Sequence, residues 1–196
     1  MNHSGLLSVS DMAVKRDTTM RAVLRCIWLS VSLLGGCGTK PIAADGQGAA
    51  MNPLAFFEGE IHSRGVMEDR SGAPVQWVRT DSHGVRDADG RLRMTQHLTF
   101  QDGAAQDRDW TLWQAGPNRY EATANDMVGT ASGQTDGGIF HWQWVLARHP
   151  GNPLMDVTMR QWMYQMDTGT VLIRTTISKL GVIVAEVTEQ FSKRDG

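Results

Sequence analysis

The chain has 196 residues, 41% of them apolar, with 19 basic and 21 acidic side chains and a formal net charge of −2. That length gives one domain with a sizeable core. The balanced, scattered charge argues against a nucleic-acid surface, which takes a clustered basic patch.

Two cysteines, Cys26 and Cys37, are too few for a metal or redox cluster with ligands at set spacings. Cys26 sits inside an apolar run, which argues against a structural disulfide.

The first informative stretch is "MRAVLRCIWLSVSLLGGC", from Met20 to Cys37. Arg21 and Arg25 give it a basic start, and Cys26 to Leu34 form a mainly apolar run. A membrane-spanning helix takes roughly 20 apolar residues. The run is shorter than that and fits the apolar core of a secretory signal followed by small residues.

Leu34-Gly35-Gly36-Cys37 resembles the lipobox of bacterial lipoproteins. Small side chains let a membrane-embedded peptidase hold extended backbone, and a thiol is what accepts a diacylglyceryl group as a thioether. The expectation is a cleaved signal over 1–36 and lipid attachment at Cys37. Gly38 in place of an inner-membrane retention aspartate points to the outer membrane, periplasmic face.

Asp11 and Asp17 fit a signal poorly, so Met12 and Met20 compete with Met1 as the translation start, Met20 being favoured. Removing 1–36 takes away Lys15, Arg16, Arg21 and Arg25 with Asp11 and Asp17, moving the net charge from −2 to −4. Residues 37–52 then read as a lipidated cysteine and a Gly/Ala-rich tether, about 20 Å long as a flexible coil.

From residue 53 to 193 the signal is period two, punctuated by turns. In "RLRMTQHLTF", Leu92, Met94, Leu98 and Phe100 share one face, and Arg91, Arg93, Thr95, His97 and Thr99 the other. That is the alternation of a half-buried strand. Before it, "AFFEGEIHSRGVMED" and "PVQWVRTDS" flank "RSGA". After it, "QDGAAQ" turns the chain into "DRDWTLW", and "AGPN" into "RYEATANDM". Then come "GIFHWQWVLA", "DVTMRQWMYQM", "TVLIRTTIS" and "VIVAEVTEQF", joined by Gly- or Pro-bearing links. About ten strands in sequential hairpins, with no convincing helix, predict an all-β, antiparallel up-and-down barrel.

Several stretches carry a resemblance: "FFEG" (56–59), "GVMEDRSG" (65–72), "LTFQDGAAQDRDWTL" (98–112), "YEATANDMVGTASG" (120–133), "WQWVL" (142–146), "WMY" (162–164) and "KLGVIVAEVTEQF" (179–191). They are similar to a family of bacterial lipoproteins known as domain of unknown function 3833. The resemblance implies a lipocalin-like barrel and no particular activity. The family pattern has aspartates just before Trp-Met-Tyr. Here Arg160 and Gln161 stand there, so no role of those acids carries over.

The candidate cavity residues are Arg108, Trp110, Tyr120, Asp126, Trp142, Trp144, Trp162 and Tyr164. If "DRDWTL" and "YEATANDM" pair with Leu112 opposite Ala122, Arg108 comes opposite Asp126. That pair could bind a polar headgroup or fix the register of the strands. Phe140, Trp142, Trp144 and Leu146 form one apolar face. Trp162 and Tyr164 form another on the next strand, with Met159 and Met163 on its opposite side. These faces read either as core or as the wall of a cavity for a lipid or other apolar ligand.

Asp102, Asp107 and Asp109 lack the spacing of a calcium loop. His62, His97, His141 and His149 are dispersed and read as exposed strand residues. No nucleophile–base pair, metal set or phosphate loop is legible, so no catalytic residue, metal or cofactor is expected. The leading reading is an anchored lipoprotein whose barrel takes an apolar or amphipathic ligand. The alternatives are a structural or assembly partner in the envelope without a small ligand, protein partner undefined, and less favoured, an envelope-lipid enzyme.

Overall fold

The computed structural model describes residues 50–149 and 151–194. Cys37, the signal over 1–36 and nearly all of the tether lie outside these residues. What is described is a closed antiparallel barrel of ten strands.

The strands follow chain order: β1 (Gly59–Asp69), β2 (Pro74–Arg86), β3 (Leu92–Phe100), β4 (Ala105–Gly116), β5 (Arg119–Ala124), β6 (Met127–Asp136), β7 (Ile139–Leu146), β8 (Val157–Gln165), β9 (Thr170–Lys179) and β10 (Val182–Lys193). Each pairs with its sequence neighbours, and β10 closes the ring on β1, from Ile61 opposite Lys193 to Asp69 opposite Ala185. Closure removes the unpaired edges that an open sheet would present.

The alternation read from the sequence decides which side chains fill the ring. Along β3, Leu92 and Met94 are buried while Arg93 and Thr95 face out. Along β7, Phe140, Trp142 and Trp144 are buried. Leu112 does stand opposite Ala122, the register assumed for the β4–β5 hairpin.

One feature differs from the expectation of no helix. A single helical turn, α1 (Pro53–Phe56), plugs the end of the barrel where β1 begins. Asn52 caps it, its side chain accepting from the Ala55 amide at 3.1 Å, and Pro53 occupies the first turn. Asn-Pro is a helix-start signal, but one turn is too short to show periodicity. Packed structure therefore begins inside the segment expected as tether, because Met51 is buried with Leu54, Phe56 and Phe57.

The Phe57 ring meets Phe56 and Phe191 edge-on at 5.0 and 6.1 Å. Lys193 at the far end of the chain donates to the carbonyls of Ala55 and Glu58, at 2.9 and 3.3 Å.

The plug fits because β2 carries glycine beneath it. A Cβ on Gly84 would lie 1.9 Å from the Phe57 carbonyl oxygen, which is backbone and cannot swing away. Gly84→Ala is expected to unseat α1 and cost about 1–3 kcal/mol, the usual penalty of overpacking. Urea denaturation followed by near-UV circular dichroism would measure it; an unchanged midpoint would show that the plug moves freely.

Candidate functional site

The barrel interior is built around aromatic side chains from β4, β5 and β7. Trp110 stacks on Trp142 with ring centroids 5.1 Å apart and meets Trp144 edge-on at 5.2 Å. Phe140 joins them, 5.4 Å from Trp142 and 5.6 Å from Tyr120. Offset and edge-on pairs of this kind suit the ring quadrupoles.

Buried indole N–H groups need acceptors, and two glutamines supply them. Gln161 Oε1 accepts from Trp142 at 2.6 Å and Trp144 at 3.1 Å, while its amide nitrogen donates to Thr175. Gln96 accepts from Trp110 at 2.7 Å and donates to Ser82.

Two charged residues enter the same space. Arg108 is buried, and its guanidinium lies over Trp144 and Trp110, 4.8 and 5.7 Å from the ring centroids. Its Nε donates to both oxygens of Asp126 at 2.8–2.9 Å, and Nη2 to Oδ2 at 2.8 Å. Gln106 donates to the same carboxylate. Asp126 lies in the turn after β5, so the predicted pairing with Arg108 forms just beyond the regular ladder.

Glu189, from β10, is the second acid at the site and, like Asp126, is half-buried. Its Oε1 accepts from Ser63 at 2.8 Å and Thr80 at 3.3 Å, and its other oxygen has no partner among the described residues. Gly65, directly opposite on β1, lets the two strands approach closely: a Cβ there would come within 2.3 Å of the Glu189 Cγ and 2.5 Å of the Thr188 carbonyl oxygen. Burial holds the carboxyl above its ordinary value of 4.5; the two hydroxyl bonds and the Arg108 charge offset only part of that.

These groups surround a cavity of about 60 Å³, lined by Arg108, Glu189, Gln96, Gln161 and the three indoles, and floored by Phe57. That is small beside the roughly 300–1,000 Å³ of drug-sized sites. It is room for a compact group and not for a whole acyl chain.

Of the eight candidates, Arg108, Trp110, Trp142 and Trp144 line this cavity. Tyr120 is buried beside Phe140, and Asp126 reaches the site through Arg108. Trp162 and Tyr164 do not belong to it. With Phe140 opposite Met163 and Trp144 opposite Met159, the inward set of β8 is Met159, Gln161 and Met163. Trp162 therefore lies on the outer wall, stacked on His141 at 4.7 Å. Apolar residues on both faces of β8 made the alternation ambiguous there.

Glu189, Gln96 and Gln161 were missed because polar residues within alternating strands read as outward. The inward phase of β3 and β10, continued through Leu92-Met94-Gln96 and Val187-Glu189-Phe191, would have found two of them. The outer histidines His62, His83 and His97 each rest on a carboxylate, Asp81, Glu60 and Asp107, at 2.5–2.6 Å. No group of three metal-ligating side chains occurs among the described residues.

The family described as "Protein of unknown function (DUF3833)" matches residues 31–193. The chain belongs to that family. The DUF3833 barrel is also similar to a solved structure, that of the S-type phycobiliprotein lyase CPES from Guillardia theta. The TM-score is 0.57 at 7% identity, over 73% of this chain and 91% of the lyase chain. At that identity the likeness is one of fold: a lipocalin-like barrel. No curated protein matches in sequence.

Two predictions follow the DUF3833 interior. Asp126→Ala leaves the buried Arg108 without its partner and is expected to cost about 3 kcal/mol in chemical denaturation. Arg108→Met combined with Asp126→Leu removes both charges and should cost clearly less; equal losses would mean the pair carries no such penalty.

The second concerns Glu189. Below pH 4.5 folded and unfolded chains both hold its proton, and the group does not affect stability. As the pH rises past that value the unfolded chain releases the proton first. Stability then falls until the pH passes the raised value, and levels off. Glu189→Gln, which keeps an oxygen for Ser63 and Thr80, should match the parent in acid and exceed it at pH 7. Parallel stability curves across that range would contradict the assignment.

Proposed function

We propose that this chain is a lipid-anchored protein on the periplasmic face of the bacterial outer membrane, whose barrel binds an apolar or amphipathic small molecule. The observation that carries the binding role is the partly enclosed, indole-walled cavity with a half-buried carboxyl, Glu189, on its lining. A surface that pairs apolar walls with a few placed polar groups is what small-molecule sites have in common.

The volume limits what enters. A compact polar end or a short apolar segment fits among Trp142, Trp144 and Met163, and Glu189 favours a group that donates a hydrogen bond. The solved neighbour is by name a phycobiliprotein lyase. What it shares with this chain is a barrel, and its substrate is not carried over. The anchored address rests on the basic, apolar and Leu34-Gly35-Gly36-Cys37 sequence alone.

A competing reading, an envelope structural or assembly partner without a small ligand, is favoured by how completely the indoles fill the interior.

The test is native mass spectrometry of the full chain extracted in mild detergent, joined to tryptophan-fluorescence titration with a short-chain fatty alcohol. A co-purifying small molecule and saturable quenching are expected. Met163→Trp, which fills the cavity, should weaken the titration at least about tenfold, or 1.4 kcal/mol. The N-terminal tryptic peptide should begin at an acylated Cys37, and Cys37→Ser should leave the membrane fraction. No bound molecule and no quenching would give the structural reading the field, and an unmodified Cys37 would remove the anchor.

A further inference from the structure

The barrel mouth opposite α1 carries an apolar tip that the binding role does not use. The β9–β10 hairpin extends past the end of β1, whose last paired residue, Asp69, faces Ala185. Beyond that level stand Leu180, Val182, Ile183 and Val184, exposed by 85, 54, 48 and 38%. Lys179 Nζ lies 3.6 Å from Met155 Sδ, which brings the β7–β8 loop and its exposed Leu154 beside the tip.

The turn itself is unusual in chemistry. Leu180 and Gly181 both have positive φ, 50° and 81°, the geometry of a two-residue hairpin turn that favours Asn-Gly. Leu is a poor choice for that backbone and, at the tip, gains no burial in return. The only other non-glycine residue with positive φ among those described is Asn118, in the β4–β5 turn.

Arg70, across a groove from Val182 and Ile183, and Lys179 make no ion pair among the described residues. Of the acids beside them, Glu186 is held by Arg174 at 2.7 Å, while Asp69, bonded to its own turn at Ser71 and Ala73, and Glu68, opposite Glu186, make no ion pair among the described residues. The β7–β8 loop carries one charge of each sign, Arg148 and Asp156.

We infer that this tip is a membrane-docking element, with Leu154, Leu180, Val182, Ile183 and Val184 entering an anionic bilayer while Arg70 and Lys179 meet its headgroups. A stable protein interface takes roughly 20–30 residues on each side. Five aliphatic side chains, four on the protruding hairpin and Leu154 on the neighbouring loop, fall far short. A bilayer buries them without a complementary shape, and each nearby cation adds attraction to anionic lipid. Docked this way, the mouth of the barrel opens on the lipid phase, from which an amphipathic molecule can enter directly.

If the anchor at Cys37 holds, the chain can satisfy both contacts on one membrane. It enters the barrel at the plugged end, where the Met51 amide donates to the Gly137 carbonyl. The residues between Cys37 and Met51 reach roughly 45 Å when extended. The longest strand, β2, has 13 residues, so that reach covers the height of the barrel. Tip docking does not depend on the anchor or on the cavity holding a ligand.

The test uses the full chain with Cys26→Ser and Cys37→Ser, carrying one environment-sensitive dye at Leu180→Cys or, as a control at the plugged end, at Asp89→Cys. Vesicles are phosphatidylglycerol with phosphatidylethanolamine, or phosphatidylcholine alone. Dye at 180 should brighten and shift to the blue on anionic vesicles, and dye at 89 should not. Ile183→Asp should abolish the shift. Arg70→Glu with Lys179→Glu should remove the preference for anionic over neutral vesicles. No shift at position 180, or equal shifts at 180 and 89, would overturn the proposal, the first pointing to a protein partner instead. Because ligand titration is read from the indoles, failure here leaves that result standing, and the reverse also holds.

Discussion

The pairing of β1 with β10 is the constraint on which the rest of this structure depends. An open ten-stranded sheet would offer two edges and could bury one face only by finding another layer. Closing the ring on itself, from Ile61 opposite Lys193 to Asp69 opposite Ala185, makes the inner face the core. Every inward side chain then competes for one fixed volume. Three indoles, Phe140 and Tyr120 take most of it, which is why the remaining cavity is small and its shape is set by polar partners instead of by voids.

An interior so filled has little tolerance for unsatisfied polar atoms, since a buried donor left unpaired costs more than a neutral packing change. Gln161 shows how the requirement is met: one side chain accepts from two indoles and donates to Thr175, joining β7, β8 and β9. An aspartate at that position could accept from the indoles but could not donate to the threonine hydroxyl in its ionised form. The amide at residue 161 therefore sets the chemistry of the cavity wall, and not merely the surface of a strand.

What could be read beforehand follows physical range. Strands and hairpins are local: alternation and turn residues such as Asp102-Gly103 are visible within ten residues, and they carried the ten-stranded order. The Arg108–Asp126 pair was within reach because one short turn links its strands, so a single register assumption placed it. The inward face of β8 was not, because Trp162 and Met163 are both apolar and only the partner strand decides between them. The Ser63–Glu189 bond joins residues 126 apart across the closing seam; no local pattern announces it. The plug was invisible for the opposite reason, being a single turn whose burial depends on the barrel beneath it.

The seam also holds the argument that the cavity is more than leftover space. Burying Glu189 lowers stability at neutral pH, and an aliphatic side chain there would pack without that penalty. The neighbouring strand carries Gly65 where a Cβ would meet both the Glu189 Cγ and the Thr188 carbonyl oxygen, so that glycine serves the close approach of β1 and β10 whatever side chain stands at 189. The concession specific to the cavity is the carboxyl itself: a polar group, bonded by Ser63 and Thr80 through one oxygen, on a lining that an aliphatic side chain would fill without the penalty. That is the feature the proposed binding role uses.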